Sequence, residues 1–275
     1  MLPEERRLQI VEQVRARPLV RADELARRFG VSIETVRRDL DALQRDGLVR
    51  RVYGGATGTG IVPRTLEASF DQRQSLHLEA KRAIGRLGAS LVEADDVLVL
   101  DVGTTVAELA RVLPVGFHGR VLTNSLLAAV EVSRHGGSGQ GPGHQVEIQV
   151  AGGRLRPGDL ACSGAQAAAF FAGWYADKAF LGSGGVHPEA GLTDYHPEEV
   201  VVRQVMLDHA AEVYVLADSS KLGQVALRKV CDLDRLTAVI TDDGADPAAL
   251  RELEDKGVRV LVAATEEARR HTGSG

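Results

Sequence analysis

The stretch Ala22-Asp-Glu-Leu-Ala-Arg-Arg-Phe-Gly-Val-Ser-Ile-Glu-Thr-Val-Arg-Arg-Asp-Leu-Asp-Ala-Leu-Gln-Arg45 reads as two helices joined by a tight turn. In the first, Leu25 and Phe29 stand one turn apart on the side expected to be buried. Gly30 follows, a residue type that takes the left-handed conformation closing a helix. Ser32 is placed to cap the second helix, its hydroxyl accepting from a free backbone amide. Val31 before the cap and Val36 in the first turn are spaced as a hydrophobic staple. At about 100° per residue, Ile33, Val36, Leu40 and Leu43 of the second helix share one side, predicted to be the core side. Glu34, Arg38, Asp41 and Arg45 point away from it, with Thr35 and Arg37 on the flanks. Two short helices around a glycine-containing turn make a helix-turn-helix.

The flanking sequence supports that reading. Leu8, Val11 and Val14, with Ile10 beside them, predict a helix from Pro3 to about Ala16, ended by Pro18. Gly47 to Gly55 carries β-branched residues, Arg50, Arg51 and a glycine pair, as expected of a short hairpin or wing. Residues 1–55 hold twelve arginines and nine acids, a net of +3, so the remainder carries −8 within the total of −5. A positive end on an acidic body points to a nucleic-acid contact confined to that end. Arg38 is the candidate for a base edge, and Thr35 and Arg37 for phosphates. Arg50 and Arg51 are expected at the backbone or minor groove. Ser32 and Arg45 complete the candidate DNA-binding set, and the partner would be double-stranded operator DNA. A protein-protein contact is the alternative use of three small helices.

The first domain is expected over residues 1–56, a Gly/Thr/Pro-containing linker over 57–76, a larger domain over 77–265 and a poorly ordered tail over 266–275. In the larger domain strands alternate with helices, the pattern of a mainly parallel sheet covered on its faces. Strands are predicted at 97–100, 121–122, 146–150, 179–181, 213–216, 238–240 and 258–262. Helices are predicted at 78–93, 105–113, 125–134, 163–172, 197–210 and 247–256. Small polar residues gather where strands end. Asp101-Val-Gly-Thr-Thr105 follows the first strand and opens a helix, an arrangement that suits a phosphate. Thr123-Asn124 follows the second strand, Gly182-Ser183-Gly184-Gly185 the fourth and Asp218-Ser-Ser-Lys221 the fifth. Ligands of open α/β sheets sit outside the carboxyl ends of strands. The candidate effector site is therefore Asp101, Gly103, Thr104, Thr105, Thr123, Asn124, Gly182, Ser183, Gly184, Gly185 and Lys221, for a small, anionic, hydroxyl-bearing ligand.

Composition narrows the classes. With 44% apolar residues the chain can build two cores. Its apolar runs are strand-sized, its first residues lack the apolar core of a secretory signal, and a cytoplasmic location is expected. Cys162 and Cys231 are too few for a disulfide framework or a zinc cluster. His135 and His144 flank the glycine-rich insert 136–143 without a third ligand type, so a surface loop and no metal are expected there. No cofactor and no catalytic residue are assigned. The second reading is an enzyme, a sugar-phosphate isomerase or hydrolase with an appended DNA-binding module. Asp101, Asp194, Asp242 and Lys221 would then supply its acid–base groups.

Arg6-Arg7, Glu24-Leu25-Ala26, Phe29, Val31-Ser32, Thr35 to Leu40, Leu43, Gly47 and Gly54-Gly55-Ala56 resemble the N-terminal signature of the DeoR family of bacterial regulators. The resemblance continues through Lys81, Ile84, Gly103-Thr104-Thr105, Thr123-Asn124, Gly152-Gly153, Asp177, Phe180-Leu181-Gly182, Gly191-Leu192-Thr193, Asp218 to Lys221 and Ile240-Thr241-Asp242. Tyr53 stands where the family commonly shows histidine, and Ala80 where it shows glutamate. The resemblance implies a winged helix-turn-helix followed by an α/β domain similar in fold to sugar-phosphate isomerases and CoA transferases. It further implies a homo-oligomer, a phosphorylated sugar or related effector, and repression of carbohydrate genes.

Overall fold

The computed structural model describes residues 3–16, 20–45, 49–52, 55–57, 67–135, 146–266 and 268. The chain divides into two compact units, Met1–Val62 and Pro63–Gly275. The first unit contains α1 (Pro3–Ala16), β1 (Val20–Arg21), α2 (Ala22–Phe29), α3 (Ile33–Arg45), β2 (Arg50–Val52) and β3 (Gly55–Thr57). Gly30 closes α2 at φ 63°, and the Ser32 hydroxyl accepts from the Thr35 amide at 3.1 Å to open α3. Ile10, Val11, Val14, Val20, Leu25, Val36, Leu40, Leu43 and Val49 form its core, with Phe29 and Val31 packed against it. The two wing strands pair antiparallel, and β1 adds to the edge of β3. Ile33 departs from expectation: it is 44% exposed. It occupies the first helical position of α3, ahead of Val36, Leu40 and Leu43, which are the residues of that helix that reach the core.

The second unit begins with α4 (Phe70–Ser75) and α5 (Leu78–Ala89). It continues with β4 (Val97–Leu100), α6 (Thr104–Ala110), β5 (Arg120–Thr123), α7 (Leu126–His135), β6 (Glu147–Val150), β7 (Arg154–Arg156), β8 (Ala161–Ser163) and α8 (Ala165–Phe171). Then come β9 (Ala176–Leu181), β10 (Gly185–His187), β11 (Gly191–Asp194), α9 (Pro197–Asp208), β12 (Ala210–Leu216), β13 (Arg228–Cys231), β14 (Ala238–Asp242), α10 (Pro247–Glu254) and β15 (Arg259–Ala263). Seven strands form one parallel sheet in the order β15-β14-β12-β9-β4-β5-β6, and they are the seven expected from the sequence. Helices α5 to α7 pack on one face through Ile84, Val106, Leu109, Ala128 and Val132. Helices α8 to α10 pack on the other through Phe171, Val202, Met206 and Leu253. Apolar runs such as Val97–Leu100 follow from burial on both faces.

The chain leaves β4 toward β5 and β6, then returns to the opposite side of β4 as β9. The carboxyl ends of β4 and β9 thus flank the topological switch point, where open α/β sheets form their crevice. Short strands outside the main sheet, β7–β8 and β10–β11–β13, build walls around that end. The expected linker needs correction: its second half, residues 67–76, carries α4 and belongs to the second unit. A capping box closes the start of α4, with Gln72 N–H donating to the Ser69 hydroxyl and Ser69 N–H to the Gln72 side chain. The insert 136–143, His144, Tyr53, the linker residues 58–66 and the tail residues 267 and 269–275 lie outside the described residues.

Candidate nucleic-acid interface and effector cavity

In the first unit α3 carries the candidates Thr35, Arg37, Arg38 and Arg45. Arg38 and Arg37 are exposed, each at a loose 3.8 Å from Glu34. Thr35 is half-buried beside Ser32, the two hydroxyls 2.8 Å apart. Arg45 ends α3 and Arg50 and Arg51 lie in β2, but their side chains fall outside the described residues. Asp39, unmarked as a site residue by sequence reading, is buried and accepts from Arg6 Nε at 2.6 Å and Arg7 Nε at 3.0 Å. Those arginines precede it by more than thirty residues, so no local pattern announces the contact. A winged helix-turn-helix with an outward arginine face is the architecture of a duplex-reading module.

In the second unit a cavity of about 280 Å³ opens at the switch point. Gly103, Thr104, Thr105, Gly182, Ser183 and Lys221 line it, as the strand-end pattern predicts. Close approach explains Gly182, where a Cβ would meet the Val102 carbonyl oxygen at 2.5 Å. Asp101, Thr123, Asn124, Gly184 and Gly185 do not line it. Asp101 is 1% exposed and sits behind the lining, accepting from Gly182 N–H at 2.9 Å and Arg203 Nε at 2.5 Å. The Thr123 hydroxyl donates to the Leu100 carbonyl at 2.6 Å and accepts from Ser125 N–H at 3.0 Å. Asn124 donates to the Cys162 carbonyl at 3.0 Å. Both hang on β5, one strand away from the switch point, which is why they miss it. Gly184 and Gly185 pack against Thr193, Asp194 and Gln224 in the β10–β11 wall.

The remaining lining was not anticipated. Glu67, Phe70, Arg73 and His77 come from the segment around α4, Arg156 and Asp159 from the β7–β8 hairpin, and Glu199 and Arg203 from α9. A chain of ion pairs runs through them. Arg73 meets Glu67 at 3.2 Å and Asp159 at 2.6 Å, and Arg156 bridges Asp159 to Glu199, the latter at 2.7 Å. Arg203 joins Asp101 at 2.5 Å, Asp194 at 2.6 Å and Glu199 at 3.6 Å. Burial pushes Glu199 up to about 7 against the pull of Arg203 and Arg156. Burial also raises Asp194, but Arg203 and the His196 amide outweigh it and hold that carboxyl below its ordinary value.

Two cations stand apart from this chain. Lys81 donates to the carbonyl of Arg73 and, at 2.6 Å, to that of Leu76, so it closes the end of α4 without an ion-pair partner among the described residues. Burial lowers its affinity for a proton, Asp218 opposes that, and the Lys221 ammonium lowers it further. Lys221 itself has no carboxylate partner among the described residues. Asp242, an acid–base candidate under the enzyme reading, accepts from Ser219 N–H at 2.6 Å and Gly244 N–H at 3.1 Å, fixing two turns. Among the described residues no cluster of His, Cys, Asp or Glu is arranged to hold a metal, and no helix is long and apolar enough to cross a membrane.

These features define a DNA-binding regulator with a second, cavity-bearing α/β unit. Residues 6–59 match the DeoR-like helix-turn-helix domain and residues 76–243 the DeoR C terminal sensor domain. The chain belongs to the DeoR family of transcriptional regulators. It is 32% identical over 262 residues to the HTH-type transcriptional regulator YulB of Bacillus subtilis (strain 168), covering 95% of this chain and 97% of that one. It is 31% identical over 255 residues to the HTH-type transcriptional repressor CsqR of Escherichia coli (strain K12), covering 92% and 93%. Among solved structures, ribose 5-phosphate isomerase A from Methanocaldococcus jannaschii aligns over 51% of this chain and 52% of its own, at 17% identity and a TM-score of 0.35.

Proposed function

We propose that this protein is a repressor of carbohydrate-metabolism genes, whose cavity in the second unit binds a phosphorylated sugar that changes its affinity for operator DNA. The observation carrying the effector class is the pairing of Lys81 and Lys221 on one cavity. Both line the cavity and neither forms an ion pair among the described residues; although Asp218 partly offsets it, the Lys221 ammonium disfavours charge on Lys81, so the pair favours a dianionic guest. The hydroxyls of Thr104, Thr105, Ser183 and Ser220 add donors around it. The ion-paired carboxylates and guanidiniums of the other lining residues suit sugar hydroxyls, which both donate and accept. The cavity's size suits a single small metabolite.

A thermal-shift series with pentose and hexose phosphates, each beside its unphosphorylated sugar, tests this directly. One phosphorylated compound is expected to raise the melting temperature while its neutral counterpart does not, because a ligand selective for the folded state stabilises it. Uniform silence across the phosphates, or turnover of the binder into another sugar phosphate, would overturn the reading. Turnover would restore the enzyme alternative, which the engagement of Asp101, Asp194 and Asp242 in structural contacts disfavours.

At the DNA, Arg38 is proposed as a base-edge reader, with Ser32, Thr35, Arg37, Arg45, Arg50 and Arg51 around it. A second copy of the chain would occupy a half-site one or more helical turns away. Arg38→Ala is expected to reduce discrimination between selected and random duplexes by about 1–3 kcal/mol. Equal weakening on every sequence would make Arg38 a phosphate contact instead.

A further inference from the structure

The cluster of Arg6, Arg7 and Asp39 contains one more cation than its internal pairing requires. Arg6 and Asp39 are both buried and meet at 2.6 Å, so together they form a complete, neutral pair. Arg7 reaches the other carboxylate oxygen through Nε at 3.0 Å, yet 38% of its side chain remains exposed. Only that one donor is engaged, so its two Nη groups have no partner among the described residues. Asp39 follows Thr35 by one turn of α3 and lies on the Thr35 flank of that helix, between the core residues and the outward arginines. Among the described residues Arg7 is therefore a surplus cation on the flank of α3, with one edge of its planar fork fixed by Asp39.

We propose that Arg7 of α1 is a phosphate contact of the DNA complex, held in orientation by the buried carboxylate of Asp39. An arginine fixed through Nε loses little further side-chain freedom when its Nη edge takes up a phosphate oxygen, because the fork is already placed. Phosphate contacts of this kind set the register of the helix in the groove and carry no sequence information. Asp39 is the positioning residue. It fixes Arg7 from α1 and, through Arg6, holds α1 against α3.

The test is the salt dependence of binding by the full-length protein. Fluorescence anisotropy would follow Arg7→Ala, Arg7→Lys and Asp39→Asn against a random duplex and against one selected from a random-sequence library. Each bound phosphate contributes about 0.9 to the slope of log affinity against log salt. Arg7→Ala is expected to make that slope shallower by about one and to weaken both duplexes by the same factor. Arg7→Lys, which keeps the charge, should retain the slope. Asp39→Asn should weaken both duplexes yet leave the slope near that of the parent protein, since the cation is present but no longer oriented. An unchanged slope in Arg7→Ala, with melting of the first unit confirming its fold, makes Arg7 purely structural and overturns the proposal. Weakening confined to the selected duplex overturns it too, because that is the signature of a base contact.

Discussion

Arg203→Met is expected to destabilise the second unit by about 3–5 kcal/mol at neutral pH, the cost of leaving buried charges without their partner. Arg203 is buried and is the cation that Asp101, Asp194 and Glu199 share. Methionine fills much of the volume but supplies no charge, so three buried carboxyls lose their common partner. The pH dependence fixes the sign. In the parent protein burial raises Glu199 to about 7, above its ordinary 4.5, so this group costs nothing below 4.5 and its penalty grows as pH rises toward 7. Asp194 is the opposite case. Its folded value is lowered, so it contributes stability above its ordinary value and loses it as pH falls through the folded one. Removing Arg203 takes away the attraction acting on both groups, and both must rise. The gap between parent and variant should therefore be widest near pH 8 and shrink as pH falls, first as Glu199 takes up its proton below about 7 and last as Asp194 does below its ordinary value. Urea unfolding at several pH values, with the first unit as an internal reference, would measure it. A gap below about 1 kcal/mol, or one equal at both ends of the range, would show that Arg203 does not neutralise this cluster.

The main sheet was legible because its strands are apolar along their whole length and its helices carry apolar stripes. Burial on both faces writes itself into sequence, as at Val97–Leu100 and Val213–Leu216. α4 left no such trace. It buries no residue, its helical start rests on the Ser69–Gln72 capping box, and it was absorbed into the expected tether. The same physics divides the site. Residues on the β4, β9 and β12 loops were identifiable because small polar types recur where strands end, and six of the eleven line the cavity. Asp101 carried that signal for another reason, its carboxylate serving an arginine 102 positions away. Arg73 and Asp159 pair across 86 positions, beyond anything spacing can reveal. Thr123 and Asn124 obey the loop rule yet spend their hydrogen bonds inside the protein, because the rule finds the rim and not the crevice within it.

Lys221→Ala is the sharpest test of the effector site, with an expected loss of ligand affinity of about 10- to 100-fold and no change in DNA binding without ligand. A hydrogen bond to a charged group contributes about 1.5–3 kcal/mol, which converts to that range. Truncation should do little to the fold, since the Lys221 ammonium has no carboxylate partner among the described residues to be left behind. Lys81→Ala would be a poorer choice, because it orphans the Arg73 and Leu76 carbonyls that end α4. The effector can shift operator affinity only through its preference for one arrangement of the protein, so weaker binding moves the response to higher ligand concentration. Operator binding would be titrated with the phosphorylated sugar found by thermal shift, for the parent, Lys221→Ala and Lys221→Arg. Full response at raised ligand concentration in the alanine variant, with partial rescue by arginine, assigns Lys221 to binding of the anion. A response at the parent's ligand concentration removes Lys221 from the site and, with it, the two-lysine basis for a phosphorylated guest.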